Sequence, residues 1–200
     1  MEKDPYLTRK TLILRAQDPS DHQAWEDFTG YYTSFIYMVL RRISYNREDH
    51  EDLTQEILLK LWGKLQKYEP QKYKFRTWLS TVIRNTVINF IDKKTRRQNR
   101  EKKSADNEVL NGHLGQDETA LSTIIDEEWE IFAINLAMER IRPHFSDKAL
   151  EVFNMLLDNV SIDEISHVTA LKENNICKIK SRLKERLHRE VKLIKKELTF

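Results

Sequence analysis

Residues Asp52–Trp62 read Asp-Leu-Thr-Gln-Glu-Ile-Leu-Leu-Lys-Leu-Trp, a stretch that shows one apolar and one polar face when it is drawn as a helix. Its apolar residues recur at steps of three and four, which is the period of one side of an α-helix. The pattern predicts a helix from about Arg47 to Lys67, and Glu69 followed by Pro70 predicts its end.

Helical periodicity continues on both sides of this stretch. Before it, a short helix is expected at residues 6–17, and apolar residues from Trp25 to Leu40 form one stripe; after it, a stripe runs from Phe75 to Ile91. The C-terminal part predicts further helices at residues 121–142, at 146–158, from Ser161, and at 172–198. Four glycines and four prolines among 200 residues are too few for the turns of a strand-rich fold. The predicted fold class is therefore all-α.

Two capping boxes mark helix starts. Ser20 is followed three residues later by Gln23, and Ser161 is followed by Glu164 at the same spacing. In this motif the hydroxyl of the first residue accepts a hydrogen bond from the backbone N–H of the fourth residue. We expect a helix to begin at each place.

Charge is nearly balanced, at +2, but it occurs in blocks. Residues 92–103 hold seven Lys or Arg and two acids, residues 104–130 hold eight acids and no Lys or Arg, and residues 172–197 hold ten Lys or Arg and four acids. A single block usually means a solvated face, whereas two basic blocks around an acidic, glycine-containing segment suggest two nucleic-acid-facing modules. We predict two small helical domains, 1–100 and 127–200, joined by an acidic flexible linker at 101–126.

Composition and motifs disfavour several functional classes. The longest apolar run, Phe35–Leu40, has six residues, against about 20 for a membrane span, and the N-terminus lacks the pattern of a secretion signal. One cysteine, Cys177, excludes an internal disulfide and a multi-thiolate metal site. The sequence has no nucleophile elbow, phosphate loop or dinucleotide motif, and its six histidines show no ligand spacing. We expect a cytoplasmic, non-enzymatic protein with no metal or cofactor and no membrane insertion.

The C-terminal basic block fits a helix-turn-helix. A short helix (161–168), a turn (169–171) and a longer basic helix follow one another, and in such a motif the second helix enters the DNA major groove. Amide and cationic side chains near its start suit base edges and phosphates. The candidates are Lys172, Asn174, Asn175, Lys178, Lys180, Ser181 and Arg182. The same spacing also fits an amphipathic helix with a solvated basic face.

A second basic cluster interleaves aromatic and cationic residues at the start of the third long helix. Lys74, Arg76 and Trp78 lie there, and a polar face continues along the helix. Bases of opened DNA stack on aromatic rings while cations hold the backbone, so this mixture suits single-stranded DNA. For Phe75 and Trp78 a packing role is favoured, because a helical aromatic stripe usually serves the core.

The motifs together resemble a known family. Residues 52–62, residues 75–85 (Phe-Arg-Thr-Trp-Leu-Ser-Thr-Val-Ile-Arg-Asn) and Asp92 with Arg96–Arg97 resemble, in order and gaps, the first conserved domain of bacterial ECF (extracytoplasmic-function) sigma factors. Residues 127–183 resemble the second domain more weakly. The resemblance implies a dissociable specificity subunit of RNA polymerase, which directs transcription initiation at specific promoters.

The same resemblance implies residue roles and partners. The helix that docks on the coiled coil of the largest polymerase subunit would use Asp52, Leu53, Thr54, Gln55 and Glu56. Melting of the minus-ten element would use Lys74, Arg76, Trp78, Arg84, Asn85, Asn89, Arg96 and Arg97. The helix-turn-helix would read the minus-thirty-five element as duplex. Core RNA polymerase and promoter DNA, both as duplex and as melted single strand, are thus the expected partners, and an anti-sigma factor is a further candidate.

Two other functions fit parts of the pattern. A stand-alone helix-turn-helix regulator would bind duplex DNA alone as a dimer, with the N-terminal half as its dimerisation module. A helical adaptor would bind only proteins, but it would leave the ten Lys and Arg of the last helix without a role. The melting-type residues before Trp78 favour the sigma factor.

Two residues depart from the usual helix-turn-helix pattern, which often has glycine at both places. Ala170 lies in the turn, and Asn159 precedes Ser161. Asn tolerates left-handed backbone and Ala does so poorly. The turn is therefore expected to differ, and with it the assignment of base-reading positions.

Overall fold

The computed structural model describes residues 9–43, 47–102 and 118–198. In these ranges the regular structure consists of α-helices and a short 3-10 turn (Arg142–His144), and the all-α prediction is confirmed. The helices are α1 (Arg9–Ala16), α2 (His22–Ile43), α3 (Arg47–Leu65), α4 (Phe75–Lys102), α5 (Glu118–Ile141), α6 (Asp147–Leu157), α7 (Ile162–Thr169) and α8 (Glu173–Glu197).

The chain divides into two compact units: Met1–Glu130 together with Glu197–Phe200 form the first, and Ile131–Lys196 form the second. In the first unit α1 packs on α2, α2 on α3, and α3 on α4. Aromatic rings join α2 to the start of α4: Phe28 lies 4.9 Å from Tyr32, and Tyr32 lies 5.2 Å from Phe75, between ring centroids. All three side chains are fully buried, so they fix where α4 begins.

The apolar stripe of α3 is only partly buried. Its buried members are Leu53, Ile57, Leu61 and Leu65. Leu58 and Trp62 belong to the same apolar stripe, but they are half-buried because they line an open groove on the surface. Periodicity alone does not separate these two environments, since both lie on one side of the helix.

The start of α2 differs from the predicted capping box. The Asp21 carboxylate, and not the Ser20 hydroxyl, accepts the hydrogen bond from the Ala24 N–H at 2.9 Å. Arg15 donates to Asp21 at 2.8 Å, and this bond, together with that from Ala24, lowers the pKa of the Asp21 carboxyl. Ser20 instead donates to Asp18 at 2.7 Å. A carboxylate is the stronger acceptor, so the cap lies one residue later than predicted.

The predicted linker at 101–126 overlaps helix at both ends. Residues 101–102 end α4, and residues 118–126 form the first turns of α5. Leu121, Ile124 and Ile125 are buried there, because the acidic segment also carries an apolar stripe at helical spacing. Residues 118–126 are therefore packed helix and not flexible linker, while 103–117 lie outside the described residues.

The second unit surrounds two small apolar clusters. Their members are Ile141, Phe153 and Leu183 in one, and Val152, Ile165 and Ile176 in the other. Ile179 of α8 borders both clusters. Ser161 caps α7 as predicted, because its hydroxyl accepts from the Glu164 N–H at 3.2 Å. The clusters hold α6, α7 and α8 together, with α7 and α8 arranged in sequence as a helix-turn-helix requires.

Both residues that depart from the usual pattern have left-handed backbone, with φ of 60° at Asn159 and 55° at Ala170. Asn159 ends α6 in a Schellman motif, in which the N–H of Val160 donates to the carbonyl of Met155 at 3.0 Å. Ala170 ends α7. The turn thus keeps the backbone that glycine would adopt, and the expected difference in the turn does not occur; strain at Ala170 is the cost.

Replacing Ala170 with Gly is expected to raise the free energy of unfolding by about 1 kcal/mol, because the Cβ no longer strains a left-handed residue. Urea denaturation followed by circular dichroism measures the change. Ala120→Gly, inside helix α5, is the matched control and is expected to lower stability by about 1 kcal/mol. A loss of stability in both variants would contradict the prediction.

Candidate functional site

An apolar groove of about 1060 Å³ lies on the first unit, between α2 and α3. Two tryptophans and two leucines supply much of its surface: Trp25, Trp62, Leu58 and Leu59. Leu59 is 73% exposed, and the rings of Trp25 and Trp62 meet edge to face at 4.7 Å. Gly30 also lines the groove and borders open space, since a Cβ there would have no neighbour within 4 Å. An open groove with such a lining is typical of a surface that receives a partner helix.

The five predicted docking residues fall on two sides of α3. Asp52 and Gln55 are exposed, Glu56 is half-buried, and Gln55 lines the groove. Leu53 and Thr54 are buried. The latter two pack the helix against the core and do not present a binding surface.

Trp78 lies at the edge of an aromatic cluster. Its ring centroid is 5.1 Å from that of Tyr68 and 5.6 Å from that of Phe75. The Tyr68 hydroxyl donates to the carbonyl of Tyr73 at 2.9 Å, and burial raises the pKa of this phenol. Phe75 is fully buried, as the packing role predicts, whereas Trp78 is half-buried and keeps part of its ring accessible.

The predicted melting residues lie on α4 and immediately before it. Lys74, Asn85, Asn89 and Arg96 are exposed, Arg76 and Arg84 are half-buried, and Arg97 belongs to the same helix. At 1.5 Å rise per residue, Arg96 lies about 30 Å along the axis from Arg76. The structure therefore gathers Lys74, Arg76 and Trp78 at one end of α4 and leaves Arg96 and Arg97 at the other.

Arg76 and Arg84 line a small cavity of about 260 Å³. Three hydroxyl side chains of α4 share it, namely Thr77, Ser80 and Thr81. Guanidinium and hydroxyl groups around one space are donors suited to an anionic oxygen.

The first half of α5 lies on this cavity. Asp126 lines it and accepts a hydrogen bond from Nη2 of Arg76 at 2.6 Å. A carboxylate oxygen of Glu130 lies 4.0 Å from Nη1 of the same arginine. The guanidinium carbon of Arg76 is also 5.7 Å from the ring centroid of Trp129, within cation–π range.

A second arginine binds the same segment from α2. Nη1 of Arg42 donates to Glu127 at 2.7 Å and to Glu128 at 3.2 Å, and these hydrogen bonds raise the pKa of the guanidinium. Beside them, Trp129 is 2% exposed and packs edge to face on Phe35 at 4.9 Å. The segment is held by apolar packing as well as by charge.

These contacts do not follow from the sequence alone. The sequence predicts a linker at 101–126 and a helix from residue 121, but it assigns no role to Arg42, Asp126 or Trp129. The usable signal was the helical spacing of apolar residues inside the acidic run, from Leu121 through Ile125 to Trp129.

The seven helix-turn-helix candidates are all exposed: Lys172, Asn174, Asn175, Lys178, Lys180, Ser181 and Arg182. Lys172 immediately precedes α8, and its carbonyl accepts from the Asn175 N–H at 2.8 Å. The others lie in the first ten residues of α8, on the sides that do not pack on α6 and α7. Cys177 is exposed on the same helix.

Two further searches covered only the residues that the structure describes. Among their helices, none combines the length and hydrophobicity that crossing a bilayer requires. No three of their His, Cys, Asp and Glu side chains cluster in a way that could hold a metal ion.

Part of the first unit is similar to known proteins. Residues 29–97 match the family Sigma-70 region 2; the match begins within α2, includes α3 and ends inside α4. The ECF RNA polymerase sigma factor SigE of Mycolicibacterium smegmatis is 27% identical over 79 residues, which are 40% of this chain and 30% of that protein. The chain thus spans less than a third of the length of that relative. Residues 29–97 are thus similar to region 2 of sigma-70 factors, and part of the chain is similar to an ECF sigma factor.

Proposed function

We propose that this protein is a sigma factor that binds core RNA polymerase and directs initiation at specific promoters. The observation that carries the proposal is the region 2 match at residues 29–97, which includes most of the residues that line the apolar groove and the start of the basic helix. Sigma factors initiate transcription without being enzymes, so core polymerase supplies the chemistry. Because its partners act on the bacterial chromosome, we place the protein in the cytoplasm.

The apolar groove is the proposed docking site for core polymerase. A coiled-coil helix of the largest polymerase subunit would lie between α2 and α3 and bury Leu58, Leu59 and Trp62. Asp52, Gln55 and Glu56 would supply polar contacts at the rim, where partly solvated groups fix orientation. Leu53 and Thr54 are assigned a supporting role because both are buried.

The start of α4 is the proposed melting site for the minus-ten element. The accessible part of Trp78 offers a stacking surface for an extruded base, and Lys74, Arg76 and Arg84 offer cations for the strand. Asn85 and Asn89 continue the polar face along the helix, and Arg96 and Arg97 would contact duplex upstream of the opened bases, about 30 Å away.

Helix α8 is the proposed reader of the minus-thirty-five element. Asn174, Asn175, Ser181 and Arg182 would reach base edges or phosphates in the major groove, and Lys172, Lys178 and Lys180 would neutralise phosphates. All seven side chains are exposed, as this use requires.

Replacing Arg182 with Ala is expected to weaken promoter binding by the holoenzyme and to lower the slope of log K against log salt by about 1, the value for one phosphate contact. Binding measured over a salt series gives the slope. Lys192→Ala, which removes one exposed cation farther along α8, is the control and should leave the slope unchanged. Equal slopes for Arg182→Ala and wild type would remove Arg182 from the phosphate contacts.

Run-off transcription with purified bacterial core polymerase on a library of the organism's promoters tests the whole proposal. We expect promoter-specific transcripts only when this protein is added, together with co-elution of the protein and core polymerase. No transcript and no co-elution would reject the sigma factor and favour a stand-alone helix-turn-helix regulator. An anti-sigma factor, if one exists, would be found as a protein that abolishes the co-elution.

A further inference from the structure

The first half of α5, residues 119–130, is an acidic segment that lies on the proposed melting face. It holds Asp126, Glu127, Glu128 and Glu130 and no Lys or Arg. Its described contacts with Arg42, Arg76 and Phe35 all lie within Met1–Glu130, which belongs to the first unit. We propose that this segment is an intramolecular competitor of promoter DNA, which closes the melting face until it is displaced.

The strongest support is that the segment and a DNA strand would both bind the Arg76 guanidinium. A strand phosphate and the Asp126 carboxylate are both anionic oxygen acceptors for a guanidinium, and Asp126 already holds Nη2 at 2.6 Å. Asp126 also lines the cavity of Arg76 and Arg84, where Nε of Arg84 is buried without a hydrogen-bond partner among the described residues. A strand that takes up these donors must first move the carboxylate.

The negative charge of the segment also repels DNA from the melting face. Four carboxylates beside the binding surface oppose the approach of a polyanion, and the effect extends over a Debye length of about 8 Å at physiological salt. Arg42 offsets two of them, since it pairs with Glu127 and Glu128. Asp126 is 64% exposed and remains in the path of an approaching strand.

Apolar packing stabilises the arrangement in which the segment lies on the melting face. Trp129 is 2% exposed, with its ring on Phe35 and near the Arg76 guanidinium. Opening therefore exposes a tryptophan, while exposed ion pairs alone would separate easily. Polymerase or DNA that binds the open state more tightly shifts the population toward it.

Binding of a fluorescein-labelled A/T-rich single-stranded oligonucleotide by the full chain, without polymerase, tests the inference, which rests on the proposed function. Asp126→Asn is expected to lower the dissociation constant about three- to tenfold, since it removes one ion pair and one repulsive charge. Glu139→Gln removes the same charge from the exposed surface of the same helix and is expected to change binding less than about twofold.

Arg76→Ala, introduced into wild type and into Asp126→Asn, tests competition by the segment separately from the melting face itself. Competition predicts that Arg76→Ala weakens oligonucleotide binding more in Asp126→Asn than in wild type, because Arg76 no longer has its ion pair with Asp126 there. If Asp126→Asn binds no more tightly than wild type while Arg76→Ala still weakens binding, competition is wrong and the melting face stands. If Arg76→Ala has no effect even with Asp126→Asn, the melting face itself is wrong.

Hydrogen exchange supplies a readout that needs no substitution. A saturating amount of the same oligonucleotide is expected to lower the protection of amides in residues 119–130 and to leave that of α6 unchanged, because displacement removes the packing of the segment. Unchanged protection of the segment in the complex would overturn the inference.

Discussion

Replacing Leu59 with Asp is expected to weaken binding to core polymerase by about 10- to 150-fold. The side chain is 73% exposed in the free protein, and burying a leucine in an interface contributes about 1.5–3 kcal/mol, which an aspartate would forfeit. The folded state should be little affected, because an exposed position contributes little to the core. Fluorescence anisotropy of labelled protein titrated with core polymerase measures the change.

Matched variants locate the effect in the groove. Leu14→Asp alters another exposed leucine of the first unit that does not line the groove, and it should leave polymerase binding unchanged. Gly30→Gln fills the groove, whereas Gly63→Gln adds the same side chain at an exposed helix position outside it. The groove is not the docking site if Leu14→Asp weakens polymerase binding as much as Leu59→Asp. The same conclusion follows if Gly63→Gln weakens it as much as Gly30→Gln.

Replacing Trp78 with Ala is expected to impair promoter opening by about 5- to 150-fold and to leave polymerase binding unchanged. The range follows from the contribution of one base–aromatic stack, about 1–3 kcal/mol. Trp78 is half-buried, so part of its ring is available to a base. Permanganate footprinting of the holoenzyme on its promoter measures the opened thymines.

The variant Trp78→Phe keeps an aromatic face and separates stacking from packing. Because Trp78 also contacts Tyr68 and Phe75, a loss of stability could mimic the loss of stacking in the alanine variant. Rescue of opening by phenylalanine, with both variants folded by circular dichroism, is the expected result. Full opening by a folded Trp78→Ala holoenzyme would exclude a stacking role.

Much of the fold could be predicted from the sequence because helices are specified locally. Apolar spacing and scarce glycine and proline gave the helix content, and the ends of α3, α6 and α8 fall within a few residues of their predicted positions. The start of α2 was wrong by one residue, because the Asp21 carboxylate, which Arg15 also contacts, caps the helix through the Ala24 N–H in place of the Ser20 hydroxyl. Arg15 lies on another helix, beyond the reach of a local rule.

The candidate site was predicted less completely. The cationic and aromatic residues of α4 were found from their types and spacing, and the helix-turn-helix candidates are exposed as expected. Leu53 and Thr54 were given a binding role although they are buried, since a motif does not state which of its residues face the core. Their positions on the inner side of α3 depend on how α2 and α4 pack around that helix.

The sequence by itself determined an all-helical chain with two basic modules, because helical period and charge blocks are properties of residue order. Only the tertiary structure decided that Leu58, Leu59 and Trp62 line a groove, and that residues 119–130 cover Arg76 instead of forming a loose connection. The reason is physical: an apolar stripe must be buried, but the surface that buries it comes from residues far away in the chain. Trp129 packs on Phe35, and this contact places the four carboxylates of the same segment beside the face that we propose for DNA.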